Sequence, residues 1–199
     1  GWLGRSLELA ELPGRSLSLD MPLVLRGTDR NDNFYPASIR SSGKLKTQLI
    51  DMISMFHSKE SSSVFKKVSK KSTRDPASLA KYAGKAMSQE GGPLSSVIKV
   101  TQFDTHSNQG ADEFGRHGKL LKLVDEIIAG YREGLGDAWD NSIILTLTEF
   151  GRTVRVNGTW GTEHGYGSAG LLAGGAITKS RVISKWPGLA ENEQFEKRD

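Results

Sequence analysis

Phe103-Asp104-Thr105-His106 closes the apolar run Val97-Ile98-Lys99-Val100-Thr101-Gln102. A carboxylate and an imidazole two residues apart fall on the same side of an extended chain, because side chains alternate with period two. Their β-carbons then stand roughly 6.5–7 Å apart, from about 3.3 Å of rise per residue, a span that both can close onto one metal ion. Glu149 ends a second apolar run, and His164 lies in a glycine-rich stretch. Two carboxylates and two imidazoles suit zinc, manganese or iron better than calcium. Asp104, His106, Glu149 and His164 are therefore the candidate metal ligands.

Each has a plainer role open to it. Asp-x-His is short enough to arise by chance, Glu149 can pair with Arg152, and His164 can be an exposed loop residue. Arg152 either clamps an anionic phosphate or sulfate in bidentate fashion or only orients Glu149. His117, near the start of a helix, is a possible outer ligand, and His57 has no visible partner.

Other chemistries find less support. Gly165-Tyr166-Gly167-Ser168-Ala169-Gly170 lacks the Gly-x-Ser-x-Gly spacing of a nucleophile elbow. No Gly-x-x-x-x-Gly-Lys-Ser/Thr phosphate loop occurs. The chain has no cysteine, which excludes disulfides, thiolate zinc sites and a cysteine nucleophile.

The elements that must position these residues are legible in part. Residues 97–103 read as a strand, and 114–134 as a helix with Leu120, Leu121, Val124, Ile127, Ile128 and Tyr131 on one face. Residues 141–150 hold the strongest strand signal, Ile143-Ile144-Leu145-Thr146-Leu147, apolar enough to be covered on both faces of a parallel sheet. Strand, helix, strand is a βαβ unit with a right-handed crossover. It would bring Asp104 and His106 beside Glu149 and Arg152 at the ligand-binding edge of the sheet. A glycine-rich loop (Gly158, Gly161, Gly165, Gly167), a short strand at 169–173, an edge strand at Arg181-Val182-Ile183 and a fraying tail at 190–199 follow.

Upstream, Leu17-Ser18-Leu19 and Leu23-Val24-Leu25 read as short strands, and 44–57 as a helix. Asp75 is an N-cap signal with Pro76 at the first helical position, and Gly91-Gly92-Pro93 terminates that helix near Glu90. A basic, serine-rich connector spans 58–74. A nucleic-acid patch is the sharper reading of its lysines, but charge runs are usually solvated, and no nucleic-acid partner is expected.

At 199 residues, with 36% hydrophobic and 25% charged residues and a net charge of +4, the chain fits one globular domain, 1–199. No apolar run reaches the ~18 residues of a membrane helix. No signal peptide is visible and the first residue is not Met, so the natural N-terminus is expected upstream.

Phe103-Asp104-Thr105-His106-Ser107-Asn108-Gln109, Glu149-Phe150-Gly151-Arg152-Thr153 and Asn157-Gly158-Thr159-Trp160-Gly161-Thr162-Glu163-His164-Gly165 occur in this order. With Gly1-Trp2-Leu3-Gly4-Arg5 and Pro22-Leu23-Val24-Leu25-Arg26-Gly27, they closely resemble a bacterial family catalogued as domain of unknown function fifteen-oh-one. That family looks like a branch of the alkaline phosphatase and sulfatase superfamily. The resemblance implies an α/β fold, with a mostly parallel sheet flanked by helices and one or two divalent metals at its edge. Asp104 and His106 would match one metal position, Glu149 a later acidic ligand and His164 the last histidine. Phe150 departs from the superfamily, which often has His there, and so speaks against a complete second metal site. The upstream acidic ligand and nucleophile region have no counterpart, so the chain reads as an incomplete domain, inactive by itself. The resemblance also implies export to the periplasm or cell surface, although no residue here shows it.

The expectation is a metal-dependent hydrolase of phosphate or sulfate esters, with zinc or manganese as cofactor and Arg152 on an anionic small-molecule or polymer substrate. The alternative is a non-catalytic exported binding protein that keeps the fold and one metal.

Overall fold

A computed structural model describes residues 1–16, 23–27, 31–33 and 75–197. The expected strand at 17–19, the helix at 44–57, His57 and the basic connector at 58–74 lie outside the described residues. The chain is mixed α/β and divides into two compact units, one of residues 1–99 with 129–136, the other of 100–128 with 137–199.

The first unit opens with helix α1 (Trp2–Leu9) and strand β1 (Gly14–Ser16). Strand β1 is the centre of a three-stranded parallel sheet, with β2 (Asn31–Asn33) on one side and β3 (Ser95–Val97) on the other. Leu23–Leu25 forms a turn of 3-10 helix rather than the expected strand, and Leu25 is fully buried. Helix α2 (Pro76–Met87) starts where Asp75 and Pro76 predict. The Asp75 carboxylate accepts from the Ser78 amide at 3.0 Å and from the Ser78 hydroxyl at 2.9 Å, satisfying a donor that has no partner within the helix. Asp75→Ala is expected to destabilise this unit by about 1 kcal/mol, read as a lower urea midpoint with an unchanged slope.

Helix α3 (Arg116–Leu135) matches the apolar stripe at 114–134. Its C-terminal turns pack on α2 at close range: a Cβ at Gly84 would stand 2.8 Å from the Tyr131 carbonyl. Tyr131 is buried, its hydroxyl 2.8 Å from Ser96 Oγ, and burial pushes its phenol up to about 12.

In the second unit, β4 (Ile144–Thr146) pairs with β7 (Leu171–Ala173) in antiparallel fashion. A second antiparallel pair, β5 (Gly151–Val156) with β6 (Thr162–Gly165), forms a hairpin. The expected βαβ unit is not formed: β3 ends at Val97, and β3 and β4 belong to different sheets. A single mostly parallel sheet is thus not found among the described residues. The apolar run at 143–147 misled because it is not covered on both faces: Leu145 is 49% and Leu147 61% exposed. Arg181–Ile183 takes no strand. Near the C-terminal end of the described residues, Tyr166 donates to Glu196 at 2.8 Å and Phe195 stands edge-on to the Tyr166 ring.

Candidate metal centre

The glycine-rich stretch read as a loop is the β5–β6 hairpin. Val154-Arg155-Val156 followed by Asn157-Gly158 is a strand ending in a favoured turn pair, a signal that identifies hairpins in other sequences. Its register sets Arg152 directly opposite His164. Residues directly opposite on an antiparallel pair share one face, so the guanidinium and the imidazole rise side by side.

Loop 104–109 is laced to the tip of this hairpin by backbone. Asn108 N donates to the Thr159 carbonyl at 3.0 Å, Gln109 N to the Trp160 carbonyl at 2.9 Å, and Thr162 N to the Thr105 carbonyl at 3.2 Å. Thr105 is fully buried, and its hydroxyl donates to Gln109 Oε1 at 2.7 Å, which also accepts from Thr162 Oγ1 at 2.8 Å. With Thr105 turned inward, its neighbours Asp104 and His106 turn outward together. Asp104 and His106 thus reach each other from a turn, with the Thr105 amide donating to the Phe103 carbonyl at 2.9 Å, and not from the expected strand.

Asp104, His106 and His164 converge. Asp104 Oδ1 lies 2.9 Å from Nε2 of each histidine, and the two Nε2 atoms lie 3.2 Å apart. Donors bound at about 2.0–2.1 Å to one cation are separated by roughly 2.9 Å in octahedral and 3.3 Å in tetrahedral geometry. The three edges fall within that range, so these residues fit a divalent metal. With three ligands among the described residues, a bound cation would have room for water or another donor. Glu149 is exposed and stands outside the group. His117 is also outside it, edge-on to Phe103 with its Nδ1 buried and unbonded.

Arg152 pairs with Asp104 rather than orienting Glu149: Nη1 donates to Asp104 Oδ1 at 2.8 Å. Nε donates to Thr162 Oγ1 at 2.9 Å and Nη2 to the Thr162 carbonyl, so the guanidinium, 16% exposed, is held in one orientation. Phe150 lies flat on the His164 ring, centroids 3.9 Å apart and planes 12° apart.

Sequence reasoning missed the partners behind these groups. Glu163 Oε2 sits 2.8 Å from His106 Nδ1, and Asn157 Nδ2 donates both to Glu163 Oε1 at 2.6 Å and to the His106 carbonyl at 2.8 Å. Glu163 adjoins His164, and a charged neighbour of a candidate ligand is the only signal that sequence offers for it.

The hydrogen bond from His164, then that from Arg152, holds the Asp104 carboxyl below the usual carboxylate range. The Asn157 amide does the same for Glu163, with the charges of His106 and Arg152 adding to it. A carboxyl lowered in the folded state contributes stability that is present above its unfolded value and lost as pH falls through the folded one. Thermal melts are therefore expected to drop on acidification below about pH 4, and Asp104→Asn to flatten that drop.

Residues 26–199 match the model of one protein family, described as a protein of unknown function (DUF1501). No curated protein and no solved structure matches the chain.

Proposed function

The chain belongs to the DUF1501 family, and we propose that it carries the metal centre of a hydrolase acting on phosphate or sulfate esters, in the manner of the sulfatase-like superfamily. The observation that carries this reading is the convergence of one carboxylate and two imidazoles with edges of 2.9, 2.9 and 3.2 Å. A divalent ion there, zinc or manganese, would supply Lewis-acid polarisation of an ester oxygen. Two carboxylates, one guanidinium and a dication leave one net positive charge, which favours an anionic ligand. Arg152 has five N–H donors and uses three on Asp104 and Thr162, leaving two for non-bridging oxygens. In this proposal Glu149 is a peripheral acid, and the remaining strands of a sulfatase-like sheet and a periplasmic or surface location are expected with the activity.

The second reading, a binding protein with one metal and no catalysis, draws on Phe150, which offers no donor and stacks on the face of His164. Turnover of aryl phosphates and aryl sulfates by the full-length protein, with and without zinc or manganese, separates the two. Metal-dependent turnover supports the hydrolase. Tight metal binding with no turnover of either ester under any metal supports the binder.

No helix among the described residues is long and apolar enough to cross a membrane.

A further inference from the structure

The strand residue next to His164 brings a carboxylate to the other histidine. Glu163 Oε2 meets Nδ1 of His106 at 2.8 Å, so the opposite ring atom, Nε2, is the one that faces Asp104 and His164. An ionised carboxylate only accepts hydrogen bonds. Nε2 faces a carboxylate too, Asp104 Oδ1 at 2.9 Å, so without a cation each ring nitrogen has an acceptor. A cation held by Asp104 and the Nε2 lone pair would leave the ring proton on Nδ1, where Glu163 accepts it. Asn157 prevents the carboxylate from swinging away. Its amide nitrogen holds Glu163 Oε1 and the His106 carbonyl, while its Oδ1 accepts from the amides of Thr159 and Gly161, each at 3.0 Å. One side chain thus fixes the carboxylate, the backbone of the ring it faces, and the hairpin tip.

We propose that Glu163 is a positioning residue of this centre, accepting from Nδ1–H of His106 and so holding Nε2 toward the cation, with Asn157 holding Glu163 in place. The proposal rests on the reading of Asp104, His106 and His164 as metal ligands. Glu163 touches neither the cation nor substrate, and its effect passes wholly through the ring. Partners of this kind raise ligand basicity and fix ring orientation, and their loss typically costs 10–100-fold in affinity. A half-exposed ion pair serving stability alone would contribute little and would leave metal affinity unchanged.

The test compares wild type, Glu163→Ala and Glu163→Gln, each as the full-length protein. Nitrogen-15 spectra of the zinc-loaded proteins report the hydrogen bonding of the His106 Nδ1–H. A strongly hydrogen-bonded Nδ1–H is expected in wild type, a hydrogen-bonded one in Glu163→Gln, whose amide oxygen still accepts, and a shifted signal without that bond in Glu163→Ala. Zinc affinity by chelator competition is expected to fall about 10- to 100-fold in Glu163→Ala and to be partly restored in Glu163→Gln. An unchanged Nδ1 signal in zinc-loaded Glu163→Ala, or equal zinc affinity in all three proteins, overturns the positioning role while leaving the metal centre standing. A wild-type protein that binds neither zinc nor manganese overturns the metal centre itself and the proposal with it.

Discussion

Asp104→Asn is expected to weaken zinc binding by more than about 100-fold, beyond the upper end of what losing an outer partner of a ligand costs. The substitution keeps the volume and one oxygen but removes the charge. That charge has three claimants: Nε2 of His106 and of His164 at 2.9 Å, and Nη1 of Arg152 at 2.8 Å. Without it, a dication would enter beside the positive guanidinium, held by two neutral imidazoles and at most one neutral amide oxygen. The fold should tolerate the change, because an exposed pair contributes roughly 0–1 kcal/mol. Chelator competition with zinc, alongside a thermal melt, separates the two effects. Wild-type affinity in Asp104→Asn would mean that the three side chains are not a metal site.

Gly161→Ala is expected to take the centre apart by a different route. A Cβ at this position would run into the His106 carbonyl and stand 2.5 Å from Ser107 N. Those atoms are backbone, pinned by the Thr159 and Trp160 carbonyls through Asn108 and Gln109 and by the Asn157 amide, so they cannot yield as a flexible side chain would. Relief requires separating loop 104–109 from the hairpin tip. Overpacking of this kind costs about 1–3 kcal/mol or more. The expected outcome is a lower melting temperature together with loss of metal binding, even though every proposed ligand is still present. Gly158→Ala is the control, since a Cβ there meets nothing within 4 Å. Equal metal affinity in Gly161→Ala and Gly158→Ala would show that the loop and the hairpin do not depend on this contact.

Both predictions turn on a site whose members were readable in sequence but whose assembly was not. The expected route ran through a βαβ unit, with Asp104 and Arg152 meeting at the edge of a parallel sheet. The observed route is a loop laid along the tip of a hairpin, and it brings together Asp104, His106, Arg152 and His164 while leaving Glu149 aside. Apolar runs at 97–103 and 141–150 resemble buried parallel strands, but periodicity reports only local preference and cannot say which strand pairs with which. Helices α2 and α3 were legible because their signals are local: a capping Asp75, Pro76 at the first position, and a stripe at three- and four-residue spacing. The hairpin has a local signal too, Asn157-Gly158 after the alternation Val154-Arg155-Val156.

By itself the sequence determined the donor chemistry. It contains no thiol, it offers a carboxylate and an imidazole at a spacing that turns both to one side, and it holds a second imidazole and a guanidinium farther along. Tertiary structure alone decided that those groups meet, that Arg152 faces Asp104 and not Glu149, and that Glu163 stands behind His106. The reason is physical. Side-chain type and period-two or three-and-a-half spacing act over a few residues, whereas the meeting of residue 104 with residue 164 is fixed by hairpin register and by backbone hydrogen bonds between segments some 50 residues apart, whose pairing no local preference encodes.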